Sequence, residues 1–360
     1  MRLAGRVAVA GFGIVVAILA GCSGGATASS TTGPTPPPVA PPAPPPSYAA
    51  YTQSYTLPWV GSPNFANLTS LLQVQAQVGG AVAANFVVAT GSVGIVMPAS
   101  ALPNIPPGSP SGTASYTATG LVLSGVWVTE PVNFPQAVNA SGVTTTATAT
   151  VPVLAVTSAT CTGSGVDASS CTTTIPYLLG VGFGIDTTVA TSPPYNPFLN
   201  LAEMTAGTMR RGYIIERAGL VLGLTTADVG SSFVMQQLSS AGTPASGTHN
   251  DWGLISGGFE TTANGWVSGT ALLDTALLNA ILENSAMPQS GTVASGTAVS
   301  FAISTQSYGF SVSDGGAQTP TSVNWAVASH GTYVNTGLRA LGHFDLLYDA
   351  DGGYFGLRPE

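Results

Sequence analysis

Side chains that could carry acid–base or nucleophilic chemistry are few in this sequence of 360 residues. Its histidines are His249, His330 and His343, all in the last third of the chain. The serine nucleophile of an α/β-hydrolase stands in a Gly-x-Ser-x-Gly turn, but Ser256, in the run LISGG at residues 254–258, lacks the glycine two positions before it. A serine hydrolase is therefore disfavoured.

The cysteines indicate an oxidising compartment. Cys161 and Cys171 lie ten positions apart in the run CTGSGVDASSC, and we expect them to form a disulfide that closes a surface loop. Zinc is the alternative, but two thiols with no neighbouring histidine or third cysteine cannot complete a tetrahedral shell. The sequence predicts neither a metal site nor a cofactor.

The charged residues exclude one class of partner. The seven basic residues are all arginines, the acidic residues number 15, and the net charge is -8. Without a basic stripe the chain has nothing to exchange for phosphate counterions, so a nucleic-acid partner is excluded. Arg210 and Arg211 form the one basic cluster, and we expect it to pair with Glu203 or Glu216, with capture of a carboxylate ligand as the alternative.

The N-terminus has the pattern of an export signal. Arg2 and Arg6 precede an apolar run at residues 7–19, which is shorter than the roughly 20 residues of a membrane span and typical of a signal peptide. The run ends in Leu-Ala-Gly-Cys, which resembles the lipobox of bacterial lipoproteins. The resemblance implies a signal peptide at residues 1–21, acylation of Cys22 and a membrane anchor, and Ser23 after the cysteine favours the outer membrane over the inner. The alternative is an ordinary signal peptide with a chance cysteine.

A tether follows the anchor. Residues 22–47 are rich in Pro, Gly, Ser and Thr and show no apolar periodicity, so the segment cannot bury enough surface to fold. We expect a disordered linker that favours extended polyproline II conformations.

Beyond the tether, the sequence predicts an all-β protein. Short runs rich in β-branched residues, bounded by Gly, Pro, Asn and Ser, recur at residues 74–78, 85–88, 121–123 and 151–154. No repeat of 20 to 50 residues is present, which disfavours propellers and solenoids.

Helical signals are limited to three segments. The strongest is at residues 272–284, LLDTALLNAILEN, and short helices are predicted at residues 196–207 and 231–238.

A family resemblance rests on five segments in a fixed order. Residues 86–102, FVVATGSVGIVMPASAL, are similar to the first active-site segment of pepsin-like aspartic proteases, whose pattern has Asp-Thr-Gly-Ser. Tyr116 and the following residues 125–130 resemble the flap hairpin and the stretch after it. Residues 177–183, YLLGVGF, and residues 271–276, ALLDTA, resemble the segment that crosses under the first loop and the second Asp-Thr-Gly. The fifth segment is the end of the chain, where Gly337 precedes two strands joined by a turn at residues 351–353.

The resemblance implies a two-lobed architecture of β-barrel type with a few short helices. The lobes would span residues 48–190 and 191–360. In the family, two carboxylates share one proton, so that one activates water while the other donates to the scissile carbonyl.

This sequence departs from that pattern at the catalytic positions. Ala89 stands where the first catalytic aspartate belongs, so Asp274 is the retained member of a broken pair. Ala276 replaces a glycine of the second loop, and Asn335 with Thr336 replaces an apolar pair before Gly337. The residues kept from the motif are Thr90, Gly91, Ser92 and Thr275, and in the family the two threonines join the loops across the lobe interface.

No other carboxylate is placed to rescue the pair. The acidic residues of the first half are Glu130, Asp167 and Asp186, and none belongs to the loop expected to face Asp274. The function expected is therefore binding of an extended peptide or protein segment in the interlobe cleft, without catalysis. A weak peptidase that relies on Asp274 and a structural envelope lipoprotein are the alternatives.

Overall fold

The computed structural model describes residues 47–185, 192–245, 247–286, 290–327 and 331–360. The predicted signal peptide, Cys22 and the predicted tether up to residue 46 lie outside the described residues, as do Asp186 and His330. Within the described residues, no helix is both long enough and apolar enough to cross a membrane.

Strands make up most of the regular structure. The first half contains β1 (Tyr55–Leu57), β2 (Gln73–Val78), β3 (Ala84–Ala89), β4 (Val93–Pro98), β5 (Ser111–Tyr116), β6 (Leu121–Asn139), β7 (Thr144–Cys161) and β8 (Leu178–Val181). The second half contains β9 (Gly212–Glu216), β10 (Gly219–Leu222), β11 (Val234–Gln237), β12 (Ser240–Gly242), β13 (Asp251–Trp252), β14 (Ile255–Thr261), β15 (Asn264–Leu272), β16 (Ala280–Glu283), β17 (Gly291–Thr292), β18 (Ala298–Ile303), β19 (Gln306–Ser311), β20 (Val323–Trp325), β21 (Tyr333–Asn335), β22 (Phe344–Asp349) and β23 (Tyr354–Pro359).

Helices are short. The α-helices of the described residues are α1 (Ala202–Thr205) and α2 (Thr226–Val229), and 3-10 turns occupy Ala99–Ala101, Ala168–Ser170, Pro197–Leu199 and Leu338–Gly342. The prediction of an all-β fold with a few short helices is confirmed.

Two large sheets form a two-lobed molecule. One has 13 strands in the order β11-β23-β22-β9-β10-β1-β6-β2-β3-β8-β4-β7, with β5 paired to β6. The other has eight strands in the order β17-β20-β16-β21-β15-β14-β18-β19, and β12 pairs with β13 separately. One continuous cluster of buried apolar side chains reaches from Val88 in the first sheet to Leu273 beside the second.

The same three-strand arrangement occurs once in each sheet. In the first, β8 lies between β3 and β4, parallel to β3 and antiparallel to β4. In the second, β21 lies between β15 and β16 with the same directions. In each sheet the two outer strands of the three follow each other in the chain, and the strand between them comes later. Residues 90–92 join the outer strands in the first sheet, and residues 273–279 join them in the second.

Two helix predictions are wrong. Residues 272–284 contain the last residue of β15, a turn and then β16, whose four residues are all buried. β16 pairs with β20 on one edge and β21 on the other, and both of its faces are buried. A strand that is buried on both faces is a continuous apolar run, which periodicity cannot distinguish from a buried helix.

The segment at residues 231–238 is also not helical, because it contains β11, which pairs with the last strand of the chain. The prediction at residues 196–207 holds in part: Pro197–Leu199 forms a 3-10 turn and Ala202–Thr205 one α-helical turn.

Candidate functional site

The site is built where the two equivalent turns meet. The backbone N–H of Thr90 donates to Thr275 Oγ1 at 3.1 Å, and the N–H of Thr275 donates to Thr90 Oγ1 at 3.0 Å. Each hydroxyl then donates across the interface, from Thr275 to the carbonyl of Val88 at 2.6 Å and from Thr90 to the carbonyl of Leu273. Both threonine side chains are buried, so these bonds are made away from water and fix the two turns against each other.

This reciprocity makes Ala89 and Asp274 structural equivalents. Each residue directly precedes one of the paired threonines: Ala89 is the last residue of β3, and Asp274 follows the end of β15 by two residues. Ala89 is buried, with 1% of its surface exposed, and presents only a methyl group. One turn therefore carries a carboxyl group and the other carries none.

Asp274 is held by three donors. The N–H of Ala276 donates to Oδ1 at 2.9 Å, Asn335 Nδ2 donates to Oδ2 at 3.2 Å, and the backbone N–H of Gly91 also bonds the carboxylate. Burial raises the pKa of Asp274, and the three hydrogen bonds oppose that rise because they favour the charged form. Only glycine fits at residue 91, because a Cβ atom there would lie 2.2 Å from Asp274 Oδ2.

Asn335 is a site residue that the sequence analysis noted only as a departure from an apolar pair. The strand registers show what it replaces: Leu272 pairs with Asn335 in the second sheet as Val87 pairs with Leu178 in the first. The carboxamide therefore stands where the first lobe has leucine, and it donates to Asp274. The signal in the sequence is the carboxamide two positions before Gly337, where the family resemblance implies an apolar residue.

The Ser92 hydroxyl lies buried beside the paired turns, without a hydrogen-bond partner among the described residues. Ser92 follows Gly91 in the turn that Ala89 precedes, and it lines both of the cavities described below together with Asp274.

Tyr116 lies at the end of β5, at the start of the hairpin that continues into β6. Its ring is half-buried and lines both of the cavities described below. Burial raises the pKa of its phenol. We call residues 111–126 the flap.

Two cavities meet at Asp274, and Tyr116 of the flap lines both. The larger, about 670 Å³, reaches into the second lobe, and its lining includes Ile281, Glu283, Trp325, Val327 and Tyr333. The smaller, about 140 Å³, lies between the two turns and is lined mainly by apolar side chains of both lobes: Ala89, Leu121, Pro176, Leu178, Ala276 and Leu277. The cleft is open and has apolar walls, which is what a binding groove requires.

The predicted disulfide is confirmed, and it lies next to the flap. Cys161 and Cys171 are bonded, and residues 161–171 form a loop that we call the disulfide loop. Thr162 N–H donates to the carbonyl of Gly120 at 2.9 Å, and Asp167 N–H donates to the carbonyl of Ala118 at 2.8 Å. The loop therefore supports the tip of the flap, a role that cysteine spacing alone does not indicate.

The remaining candidates lie elsewhere. Arg210 does not pair with Glu203 or Glu216 as predicted but makes a two-bond ion pair with the buried Asp349, 2.8 Å from Nη2 to Oδ2. Glu130 lies in β6, with its carboxyl group beside Gly79. Among the described residues, no group of three His, Cys, Asp or Glu side chains could hold a metal ion.

The strand order, the paired turns and the flap define a two-lobed, pepsin-like fold. No protein-family model matches the sequence, and no curated protein matches it either. Among solved structures, the chain is similar to the aspartic proteinase from Irpex lacteus, with a TM-score of 0.54 and 14% sequence identity over 85% of this chain and 97% of that one. At this identity the likeness shows the fold.

Proposed function

We propose that this protein is a membrane-anchored lipoprotein that uses its pepsin-like cleft to bind an extended peptide segment without cutting it. The observation that carries the proposal is the equivalence of Ala89 and Asp274 across the threonine bonds. Peptide hydrolysis by this fold needs two carboxyl groups that share a proton, and the first position offers a methyl group.

The environment of Asp274 also favours binding over catalysis. Three donors use three of the roughly four acceptor positions of this carboxylate, so about one position is left for a ligand, and no second carboxyl group completes the acid–base pair. A fixed carboxylate of this kind is suited to accept a hydrogen bond from a bound backbone N–H.

The flap offers a backbone edge for such a ligand. Among the described strands, β5 pairs only with β6, so its other edge carries unpaired N–H and C=O groups. An extended peptide can add to this edge as a strand and place alternate side chains in the two cavities.

The test is binding without turnover. Blocked peptides of about eight residues are incubated with the protein from pH 2 to 7, binding is measured by calorimetry and cleavage by mass spectrometry. We expect binding and intact peptides. The matched variants are Val327→Trp, which fills the rim of the larger cavity, and Val143→Trp, at a comparably exposed position in the β6–β7 turn.

The expected result is weaker binding for Val327→Trp and unchanged binding for Val143→Trp. Cleavage sensitive to an aspartic-protease transition-state inhibitor would support the peptidase alternative, and no binding of any peptide would support the structural alternative.

The anchor is tested separately. Because the run at residues 19–22 resembles a lipobox, Cys22→Ser should give an unprocessed precursor that takes up no fatty-acid analogue. Equal labelling of this variant and the wild type would contradict the lipoprotein assignment. Fractionation of the wild type then distinguishes the outer from the inner membrane.

A further inference from the structure

Asp274 and Ser92 both have unused hydrogen-bonding capacity where the two turns meet. After its three hydrogen bonds, the Asp274 carboxylate keeps about one of its roughly four acceptor positions. The Ser92 hydroxyl is buried and has no hydrogen-bond partner among the described residues. Both residues line both cavities. Because a buried polar group without a partner costs free energy, a ligand that bonds these two groups gains affinity from them.

The two groups lie close to each other because the turns are in contact. A Cβ atom at Gly91 would lie 2.2 Å from Asp274 Oδ2, so this carboxylate lies against the residue that directly precedes Ser92. The threonine bonds between the turns fix this arrangement. One small ligand group that combines a donor and an acceptor can therefore bond Asp274 and Ser92 together.

The smaller cavity provides the space for such a group. Ala89 and Asp274 both line it, and the methyl group of Ala89 fills less space than a carboxyl group at the equivalent position would. The cavity measures about 140 Å³, and its other walls include the apolar side chains of Leu121, Leu178 and Leu277. Burying a charge in such surroundings costs far more than burying a neutral polar group that is hydrogen-bonded. The cavity therefore favours a neutral ligand group.

We propose that the space beside Ala89 binds the carboxamide of an asparagine or glutamine side chain of the bound peptide. The inference rests on the proposed function and names a ligand class for the same cleft. A carboxamide has two N–H donors and a carbonyl acceptor in one plane, so its N–H can donate to Asp274 while its carbonyl accepts from Ser92. The match holds in either protonation state of Asp274. A protonated carboxyl group would donate to the carbonyl oxygen, and Ser92 would accept from the amide instead.

Other ligand groups match these two residues less well. A trans peptide bond has its N–H and C=O on opposite sides, so one backbone unit can bond Asp274 or Ser92 but not both. A carboxylate has no hydrogen to donate to Asp274. An ammonium group can donate to both residues, but the loss of its hydration opposes its entry into an apolar space.

The test uses peptides that differ in one side chain. Blocked heptapeptides of alanine, valine and phenylalanine carry glutamine, methionine, glutamate or lysine at the centre, and their dissociation constants are measured by calorimetry at pH 7. Methionine is similar to glutamine in length and shape but has no carboxamide. We expect the glutamine peptide to bind about 10- to 100-fold more tightly than the methionine peptide, as for a hydrogen bond to a charged group. The glutamate and lysine peptides should both bind more weakly than the glutamine peptide.

Two variants assign the preference to this site. Ser92→Ala removes the hydroxyl and should reduce the preference for glutamine over methionine by about three- to tenfold, and Asp274→Ala should abolish the preference. The matched control is Ser300→Ala, at an exposed position of β18, which should leave the preference unchanged. The wild-type comparison of the four peptides needs no variant, so a folding defect in either variant does not prevent a decision.

The outcomes separate the two proposals. Equal binding of the glutamine and methionine peptides would overturn the carboxamide inference and leave the peptide-binding function standing. Tighter binding of the glutamate or lysine peptide would also overturn the inference, because the site would then select a charge. A preference for glutamine that folded Ser92→Ala and Asp274→Ala proteins both retain would place the carboxamide elsewhere and overturn it as well. If no peptide binds, both proposals fail.

Discussion

Asn279 Nδ2 donates to Asp167 Oδ2 at 2.6 Å, and this bond joins the disulfide loop of the first lobe to the turn between β15 and β16 of the second. The same loop bonds the flap at Gly120 and Ala118. The flap is therefore connected to both lobes, directly through its own hairpin and indirectly through Asp167. We refer to the Asp167–Asn279 bond as the latch.

The first prediction concerns the latch. Asn279→Ala removes the donor and leaves the partly buried carboxylate of Asp167 without this bond, so local opening of the flap should become easier by about 1 to 3 kcal/mol. Amide hydrogen exchange at residues 116–120 should accelerate by roughly 5- to 100-fold. Asn250→Ala, in an exposed loop, is the control and should leave flap exchange unchanged. Equal exchange in all three proteins would show that the latch does not restrain the flap.

The second prediction concerns the threonine pair. Thr90→Val keeps the shape of the side chain but removes the hydroxyl that bonds Leu273 and Thr275, so two buried backbone groups lose their partner. The free energy of unfolding should fall by about 2 to 4 kcal/mol in urea denaturation. The control is Thr157→Val, on an exposed part of β7, and it should change the value by less than about 0.5 kcal/mol. Similar losses for the two variants would mean that the interlobe bonds contribute little.

The fold could be predicted from short motifs because the two turns are defined by local chemistry. Thr90, Gly91 and Thr275 each have a geometric role that only a few residue types can fill, so the motif they form can be recognised in the sequence. The disulfide was readable for the same reason, since its partners lie close in the chain.

Other features depend on contacts between distant residues. Residues 280–283 form a strand because two neighbouring strands cover both edges, and no local pattern records those neighbours. Arg210 finds Asp349, 139 positions away, instead of the nearer glutamates. The position of Glu283 in the cleft and the donation from Asn335 to Asp274 likewise follow from the packing of β16, β21 and the second turn.

The third prediction concerns Asp345. Its side chain is buried and lies 2.6 Å from Arg358 Nη2. It also forms a hydrogen bond with the side chain of Glu360, the residue after β23. Burial and the hydrogen bond with Glu360 outweigh the opposing effect of Arg358 and raise the pKa of Asp345 to about 7. Because the pKa of Asp345 is higher in the folded than in the unfolded state, the protonated carboxyl group stabilises the fold. This contribution to the free energy of unfolding is complete below about pH 4 and is lost as the pH rises to about 7.

Asp345→Asn mimics the protonated acid at every pH. Its unfolding free energy minus that of the wild type should therefore rise between pH 4 and 8 by at least about 1.4 kcal/mol, the equivalent of one pKa unit. The other groups around this carboxyl, Glu216, Arg217 and His343, are unchanged in the variant and largely cancel in the difference. Glu260→Gln is the exposed control and should give a flat difference. A flat difference for Asp345→Asn would mean that this carboxyl does not hold a proton in the folded state.

The last prediction concerns the missing carboxylate. In Ala89→Asp, the new side chain would stand at the position equivalent to Asp274, in the turn that also contains the unpartnered hydroxyl of Ser92, which we expect to donate to it. Two carboxyl groups in one buried site cannot both ionise, so they should share a proton and give an acidic pH optimum. The expected result is peptide cleavage in acid by a protein whose wild type cleaves nothing.

Ala89→Asp should gain at least about 10²-fold over any background, since one positioned acid–base group contributes about 10² to 10⁴-fold. Addition of Ala276→Gly tests whether the second turn also limits catalysis, because glycine lets that turn tighten. Addition of Ser92→Ala should lower the gained activity, because the new carboxylate would lose its hydroxyl donor. When Ala89→Asp is combined with Asp274→Ala, peptide cleavage must return to the background rate. An aspartic-protease transition-state inhibitor must also abolish the cleavage gained by Ala89→Asp. Cleavage that persists without Asp274 would show that the new aspartate acts alone, and the equivalence of residues 89 and 274 would then not extend to their chemistry.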